Sequence, residues 1–251
     1  MTMTSLNVVS VFSLVILLLN PATGWAESAS IFQATLAEAG AKTPEISTDD
    51  LRHILANDKA LLIDTRTTAE FQAGHIPGAR TLEAPQVAAA ERLAEGDRAK
   101  PLILYCNGPY CQASRRLGDE LAAAGFTNVR RYQLGIPVWR ALGGPVEITT
   151  AGVARVFNVD RTAVLIDVRS PTEFGQGSIP GALNASAEAL AVGSLKKIPL
   201  PEDDFNRRVI LFGRNGAQAR QVADLLSKRP WHNVSYYQGT YGELASALES
   251  K

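Results

Sequence analysis

The chain is poor in cysteine: 251 residues contain two, five positions apart. That is too few for a disulfide-built scaffold, so the fold must rest on a hydrophobic core. Histidine is also scarce, with three in all, His53, His75 and His232. Two cysteines with histidines so scattered match no zinc spacing, and no metal is expected. Net charge is absent, with 25 basic and 25 acidic residues, which gives no basic surface for nucleic acid. No apolar run reaches the ~20 residues that span a bilayer. No long Pro/Ser-rich linker divides the chain either, so any two domains are expected to pack together rather than swing freely.

The longest apolar run is Val8–Leu19, broken by Asn20, Pro21 and Gly24. Its length suits the core of an export signal. Gly24-Trp25-Ala26 offers small residues at the two positions a signal peptidase reads. The expected reading is a signal peptide over 1–26, cut after Ala26, and a periplasmic or secreted mature chain with no stable membrane span. The opening MTMTSLN has no Lys or Arg, which leaves an uncleaved membrane anchor as the alternative.

What the chain has instead is a repeated segment. Asp64, Arg66, Glu70, Phe71, Gly74, Ile76, Pro77, Gly78 and Ala79 recur at one constant offset. Their counterparts are Asp167, Arg169, Glu173, Phe174, Gly177, Ile179, Pro180, Gly181 and Ala182. Around each copy, short continuous apolar runs alternate with helical patterns. The runs are 60–64, 101–105, 128–132, 164–167, 208–213 and 233–237; the helices are near 85–95, 112–125, 217–228 and 240–249. Such alternation predicts an α/β fold with helices on both faces of mostly parallel sheets. Expected boundaries are an arm over 27–43, either a short helix or loosely attached, a first domain over 44–148 and a second over 149–251. The join falls near Thr149-Thr150.

The copies differ where chemistry is expected. The first runs LILY into Cys106, and the second runs VILF into Gly213. A cysteine at the carboxyl end of a parallel strand, ahead of a helix, sits where such sheets bind ligands. A tight loop and a helix start both favour an anion there, so a thiolate or a persulfide is favoured with no general base. The bland alternative is a buried structural cysteine. The shared charges Asp64, Arg66 and Glu70 are read as scaffold, because the cysteine-free copy keeps them. Gly78 and Gly181, each after proline, suit turns with positive φ. Trp139, Tyr132 and the tyrosines 236, 237 and 241 are read as core or pocket wall, and Gly135 as bordering the pocket. Arg214-Asn215-Gly216 is read as a loop still able to bind an anion through its amides.

Both copies resemble rhodanese-like domains, over roughly residues 45–250. The match lies in the repeated Ile-Asp-x-Arg…Glu-Phe-x-x-Gly-x-Ile-Pro-Gly-Ala stretch and in the strand–Cys–loop–helix. The resemblance implies a sulfurtransferase in which Cys106 takes a sulfane sulfur, holds it as a persulfide and passes it to a thiol or cyanide. The partners implied are a small sulfur donor and a thiol acceptor, and no cofactor. Tandem members commonly keep one active and one inactive copy; here the first has the cysteine, the reverse of the familiar two-domain thiosulfate and mercaptopyruvate enzymes. The loop Asn107-Gly108-Pro109-Tyr110-Cys111-Gln112 carries none of the Arg or Lys usual beside the cysteine of thiosulfate-using members. Thiosulfate is therefore expected to be a poor donor. The Cys-Asn-Gly-Pro-x-Cys form is similar to that of a group of bacterial single-domain rhodaneses. Arg115 and Arg116, one turn into the helix, either reach the pocket mouth or stay solvated. Cys111 is either a resolving thiol for Cys106 or a packed helix-start residue. Two other functions stay open: a redox-sensing protein using Cys106 and Cys111, and a non-enzymatic binding module.

Overall fold

The structure is a computed structural model, described here for residues 30–57, 59–82, 86–188, 200 and 204–249. The expected signal peptide lies outside the described residues. Among the described residues no helix is long and apolar enough to cross a membrane.

The chain forms two α/β units, each built on a wholly parallel sheet. In the first unit β1 (Leu61–Asp64), β2 (Arg80–Thr81), β3 (Leu102–Tyr105) and β4 (Val129–Tyr132) are ordered β2-β1-β3-β4. In the second, β5 (Val146–Ile148), β6 (Val164–Asp167), β7 (Leu183–Asn184), β8 (Val209–Phe212) and β9 (Val234–Tyr237) are ordered β5-β9-β8-β6-β7. The central strands are buried on both faces, which is why LILY and VILF read as unbroken apolar runs.

Helices α1 (Thr48–Ala56), α2 (Thr68–Ala73), α3 (Gln86–Leu93), α4 (Ala113–Ala123) and α5 (Gly135–Ala141) belong to the first unit. Helices α6 (Thr150–Arg155), α7 (Pro171–Gly175), α8 (Gly216–Leu226) and α9 (Tyr241–Glu249) belong to the second. Ser47, Thr67 and Ser170 open α1, α2 and α7 through capping boxes closed by Asp50, Glu70 and Glu173. Leu117 and Leu121 of α4 pack on Ile63, Leu102 and Leu104 of the first sheet. Val222 and Leu226 of α8 pack on Val209 and Leu211 of the second.

The second sheet takes its outermost strand from Val146–Ile148, ahead of the Thr149-Thr150 join. This strand also ties the units together. Glu147 and His75 exchange both backbone hydrogen bonds, at 2.8 and 2.9 Å, and Thr149 N donates to Gln72 O at 3.2 Å. Gly152 of α6 lies so close to the Gln72 carbonyl that no Cβ fits between them. The units pack together, as the missing linker predicts.

Of the two expectations for the arm, a short helix or loose attachment, the described residues ahead of α1 show a short helical turn and a segment tied to the sheet. Among the described residues of the arm, Ile31–Gln33 forms that turn, of the 3₁₀ type. Glu45 pairs with Arg131 at the edge of β4, and its carboxylate accepts from the backbone N–H groups of Leu36, Ala37 and Glu38. Those bonds replace the helix's own and fold the arm back on the sheet.

Candidate active site

The repeated charges build the same brace twice. Arg66 forks onto Asp64 (Nε–Oδ1 2.9 Å, Nη2–Oδ2 2.6 Å) and donates to Gly74 O at 2.7 Å. Arg169 does the same with Asp167 and Gly177 O. The brace fastens the strand end to the turn that follows, where Gly78 and Gly181 adopt φ of 81° and 79°. Asp64 and Asp167 are fully buried, so each needs all its acceptors satisfied. Tyr105 OH supplies the remaining donor to Asp64 at 2.6 Å. In the second unit Phe212 takes that position, and Ser178 Oγ donates to Asp167 at 2.7 Å instead. Where the second unit has Ser178, the first has His75, free for other contacts. It stacks on Phe71 at 3.7 Å and faces Glu147 at 3.7 Å. Burial pushes the Glu147 carboxyl up, but His75 and the Gly78 and Tyr236 donors outweigh it and hold it below its usual 4.5.

Cys106 follows β3 directly and is 3% exposed. Seven residues, 106–112, separate β3 from α4; in the second unit three, 213–215, separate β8 from α8. Cys106 and Cys111 are joined in a disulfide, with Cα atoms 6.1 Å apart. Gly108 turns the loop with φ 110°, and Cys111 N donates back to Gly108 O at 3.0 Å. Tyr110 is 96% exposed, Asn107 and Gln112 are exposed, and Pro109 and Cys111 are half-buried. Asn107 donates its side-chain amide to Glu70. The Thr67 hydroxyl and then Asn107 lower the Glu70 pKa. Helix α4 starts at Ala113, two residues later than Cys111, with Gln112 at its cap.

The loop is held from below by groups the sequence reading did not single out. Gln133 Nε2 donates to Cys111 O at 3.0 Å and to Pro109 O at 3.4 Å. Gln133 Oε1 in turn accepts from Ser114 Oγ at 3.1 Å and from Arg131 Nη1 at 2.7 Å. Arg131 has no exposed surface and pairs with Glu38 at 2.9 Å and Glu45 at 3.5 Å. The arm thus neutralises the cation that seats the loop. Gly135 closes the other side: Ile136 N donates to Cys106 O at 3.2 Å, and a Cβ on Gly135 would meet Cys106 O and Gly108 N.

Arg115 reaches back to Ala39 O at 3.4 Å, and Arg116 is exposed. Neither lines the cleft beside the loop, so the pocket-mouth role considered for them is not where the structure puts them. That cleft, of about 520 Å³, lies between the units. Arg66, Asn107, Pro137 and Arg140 line it on one side, and Asn206 and His232 on the other. Arg66 is neutralised by Asp64. Arg140 has no ion pair among the described residues, and its buried Nε finds no hydrogen bond. Burial, with the charges of Arg208 and Arg66, pushes its pKa down to about 10. In sequence Arg140 reads as an ordinary helix-surface residue; only the packing of the second unit makes it a cleft cation.

The second unit's Arg214-Asn215-Gly216 loop, read as able to bind an anion through its amides, has one of those amides already engaged and its cation already paired. Arg214 N donates to Gln218 Oε1 at 2.9 Å, and the Arg214 side chain forks onto Glu173 at 2.6 and 2.7 Å. A Cβ at Gly213 would come within 2.7 Å of Gln218 Oε1 and 2.9 Å of Val168, so a cysteine there would require both side chains to shift. Tyr236 and Tyr237 are core, and Tyr241 stacks beneath Arg169. Tyr132 and Trp139 are also core; their polar atoms meet the Thr48 hydroxyl at 2.9 Å and the Pro145 carbonyl at 2.9 Å.

Comparison with known proteins identifies the family of both units. An HTH-type transcriptional regulator of Mycobacterium tuberculosis is 37% identical over 86 residues, covering 34% of this chain and 37% of the regulator. The thiosulfate:glutathione sulfurtransferase of Saccharomyces cerevisiae is 31% identical over 97 residues, covering 35% of this chain and 68% of the yeast protein. The thiosulfate sulfurtransferase GlpE of Pseudomonas savastanoi pv. phaseolicola is 31% identical over 87 residues, covering 35% and 78%. The rhodanese-like domain family matches residues 47–142 and 155–247. With both units matched, the chain belongs to the rhodanese-like domain family, as a tandem pair.

Proposed function

We propose that the chain is an exported sulfurtransferase that carries sulfane sulfur as a persulfide on Cys106. The supporting observation is the asymmetry of the units. Only the first has a cysteine at the strand end, in a seven-residue loop ahead of an eleven-residue helix. The positive end of that helix favours an anion at its N-terminus by about 0.3–1 kcal/mol. The relatives named as sulfurtransferases support the reaction class. The second unit braces the first and supplies one wall of the cleft. In an assay of cyanide-dependent thiocyanate formation, Cys106→Ser is expected to abolish turnover. A variant that kept it would remove the assignment. With no cation in the loop, a persulfide or polysulfide donor is expected to outperform thiosulfate.

Arg140 is the cleft cation left to hold an anionic donor. A charge-assisted hydrogen bond contributes about 1.5–3 kcal/mol, so Arg140→Met is expected to raise the donor KM about tenfold or more. kcat is expected to stay near wild type. An unchanged KM would place the donor elsewhere. The disulfide favours a second reading, a thiol–disulfide protein with no sulfur carriage. It predicts reversible loss of two hydrogens and no sulfur adduct on Cys106 after donor treatment.

A further inference from the structure

The bonded pair has a chemistry that delivery to an outside acceptor does not use. Cα atoms 6.1 Å apart lie inside the range of about 4.4–6.8 Å that disulfides span. The loop keeps its other contacts with the bond closed: Cys111 N to Gly108 O, Gln133 to the Cys111 carbonyl and Ile136 N to the Cys106 carbonyl. A closed bond is therefore compatible with the folded loop. A sulfur carried on Cys106 sits within the same short reach of Cys111.

Resting on the sulfurtransferase reading, we propose that the chain also discharges its sulfur internally, as sulfide. The Cys111 sulfur attacks Sγ of the Cys106 persulfide. A bond forms between the two Sγ atoms, the bond from Cys106 Sγ to the outer sulfur breaks, and that sulfur leaves as HS⁻ with the Cys111 thiol proton. The outer sulfur gains two electrons and the cysteine pair loses two. A thiol reductant then reopens the disulfide, two thiols becoming one oxidised disulfide for each sulfide released. Exposure sets its direction. Cys106 is 3% exposed, whereas Cys111 is half-buried beside the fully exposed Tyr110. The incoming thiolate meets the Cys111 sulfur, Cys106 leaves as thiolate, and the nucleophile is regenerated. A second thiol frees Cys111.

The test uses benzenethiosulfonate, which gives up one sulfur and leaves as a sulfinate, adding neither thiol nor sulfide. Full-length protein is reduced, freed of reductant and mixed with the donor; sulfide and intact mass are then measured. Wild type is expected to release one sulfide per chain and to end two hydrogens lighter than the dithiol. Cys111→Ser and Cys111→Ala are expected to keep one added sulfur on Cys106 and to release sulfide only when a thiol is added. If wild type also holds the sulfur and releases none, or if the sulfur is found on Cys111, internal discharge is overturned and sulfur carriage stands. If neither wild type nor the Cys111 variants take up sulfur, the sulfurtransferase reading itself fails, and this proposal with it.

Discussion

Arg131→Met is expected to destabilise the first unit by about 3–5 kcal/mol, the usual cost of removing one partner from a buried charge pair. Arg131 is fully buried and serves four groups at once: Glu38 at 2.9 Å, Glu45 at 3.5 Å, Gln133 Oε1 at 2.7 Å and the Thr43 carbonyl at 3.4 Å. Glu45 keeps the three arm N–H donors after the substitution, so it is not the group left stranded. Glu38 is stranded, and Gln133 loses its stronger donor. Gln133 is also what seats the Cys111 and Pro109 carbonyls, so the loss reaches the cysteine loop. A domain's whole stability is about 5–15 kcal/mol, so a loss of this size should make the first unit unfold ahead of the second. Urea unfolding followed by near-UV circular dichroism is expected to split into two transitions, and proteolysis is expected to begin in the arm near residues 36–43. Adding Glu38→Gln removes the stranded charge, so the double variant is expected to recover part of the loss. Equal stability for the single and double variants would show that Glu38 was never coupled to Arg131. At the same register in the second unit stands Tyr236, so the strand itself accepts a side chain without charge.

Much of this brace-and-loop architecture was legible in the sequence, for a physical reason. Asp64, Arg66 and Gly74 lie close together along the chain, with Arg66 and Gly74 only 8 apart, so their repetition at Asp167, Arg169 and Gly177 exposes a local motif directly. The buried strands were equally plain, since burial on both faces leaves an unbroken apolar run. What stayed hidden depends on partners far along the chain. Arg131 sits in Val-Arg-Arg-Tyr, where alternation does not reveal that it lies wholly buried against an arm some 90 residues earlier. Arg140 looks like a solvated helix residue until the second unit closes over it. The exchange of Tyr105 for Ser178 as the donor to the buried aspartate also crosses elements. It shows up in sequence only as two unrelated differences, Tyr against Phe and His against Ser. The tie between Glu45 and the arm has the same character. It turned a segment that reads as either a short helix or a loose arm into one that braces the site.

Gly135→Ala is expected to lower sulfur transfer by about a hundredfold, because displacing a reacting group by about 1 Å costs that much. Two effects act on the position together. Its φ of 67° is strained for alanine by about 1–2 kcal/mol. The new Cβ would also overlap the Cys106 carbonyl and the Gly108 amide, both backbone atoms that cannot rotate away. Relief requires the loop to move off α5, which breaks the 3.2 Å bond from Ile136 N to Cys106 O and shifts the Cys106 sulfur with it. Overpacking of this kind costs about 1–3 kcal/mol beyond the backbone strain. Gly78→Ala separates the two effects. Gly78 has φ of 81°, but a Cβ there meets nothing within 4 Å, so it has the strain without the overlap. It is expected to lose about 1–2 kcal/mol of stability and to keep its activity. The measurements are kcat/KM for sulfur transfer and the urea midpoint for both variants. If the two variants fell together in activity, contact between Gly135 and the cysteine loop would not be what positions Cys106. If only Gly135→Ala fell, the glycine would be a positioning residue for Cys106, acting through the backbone it touches rather than through any group of its own.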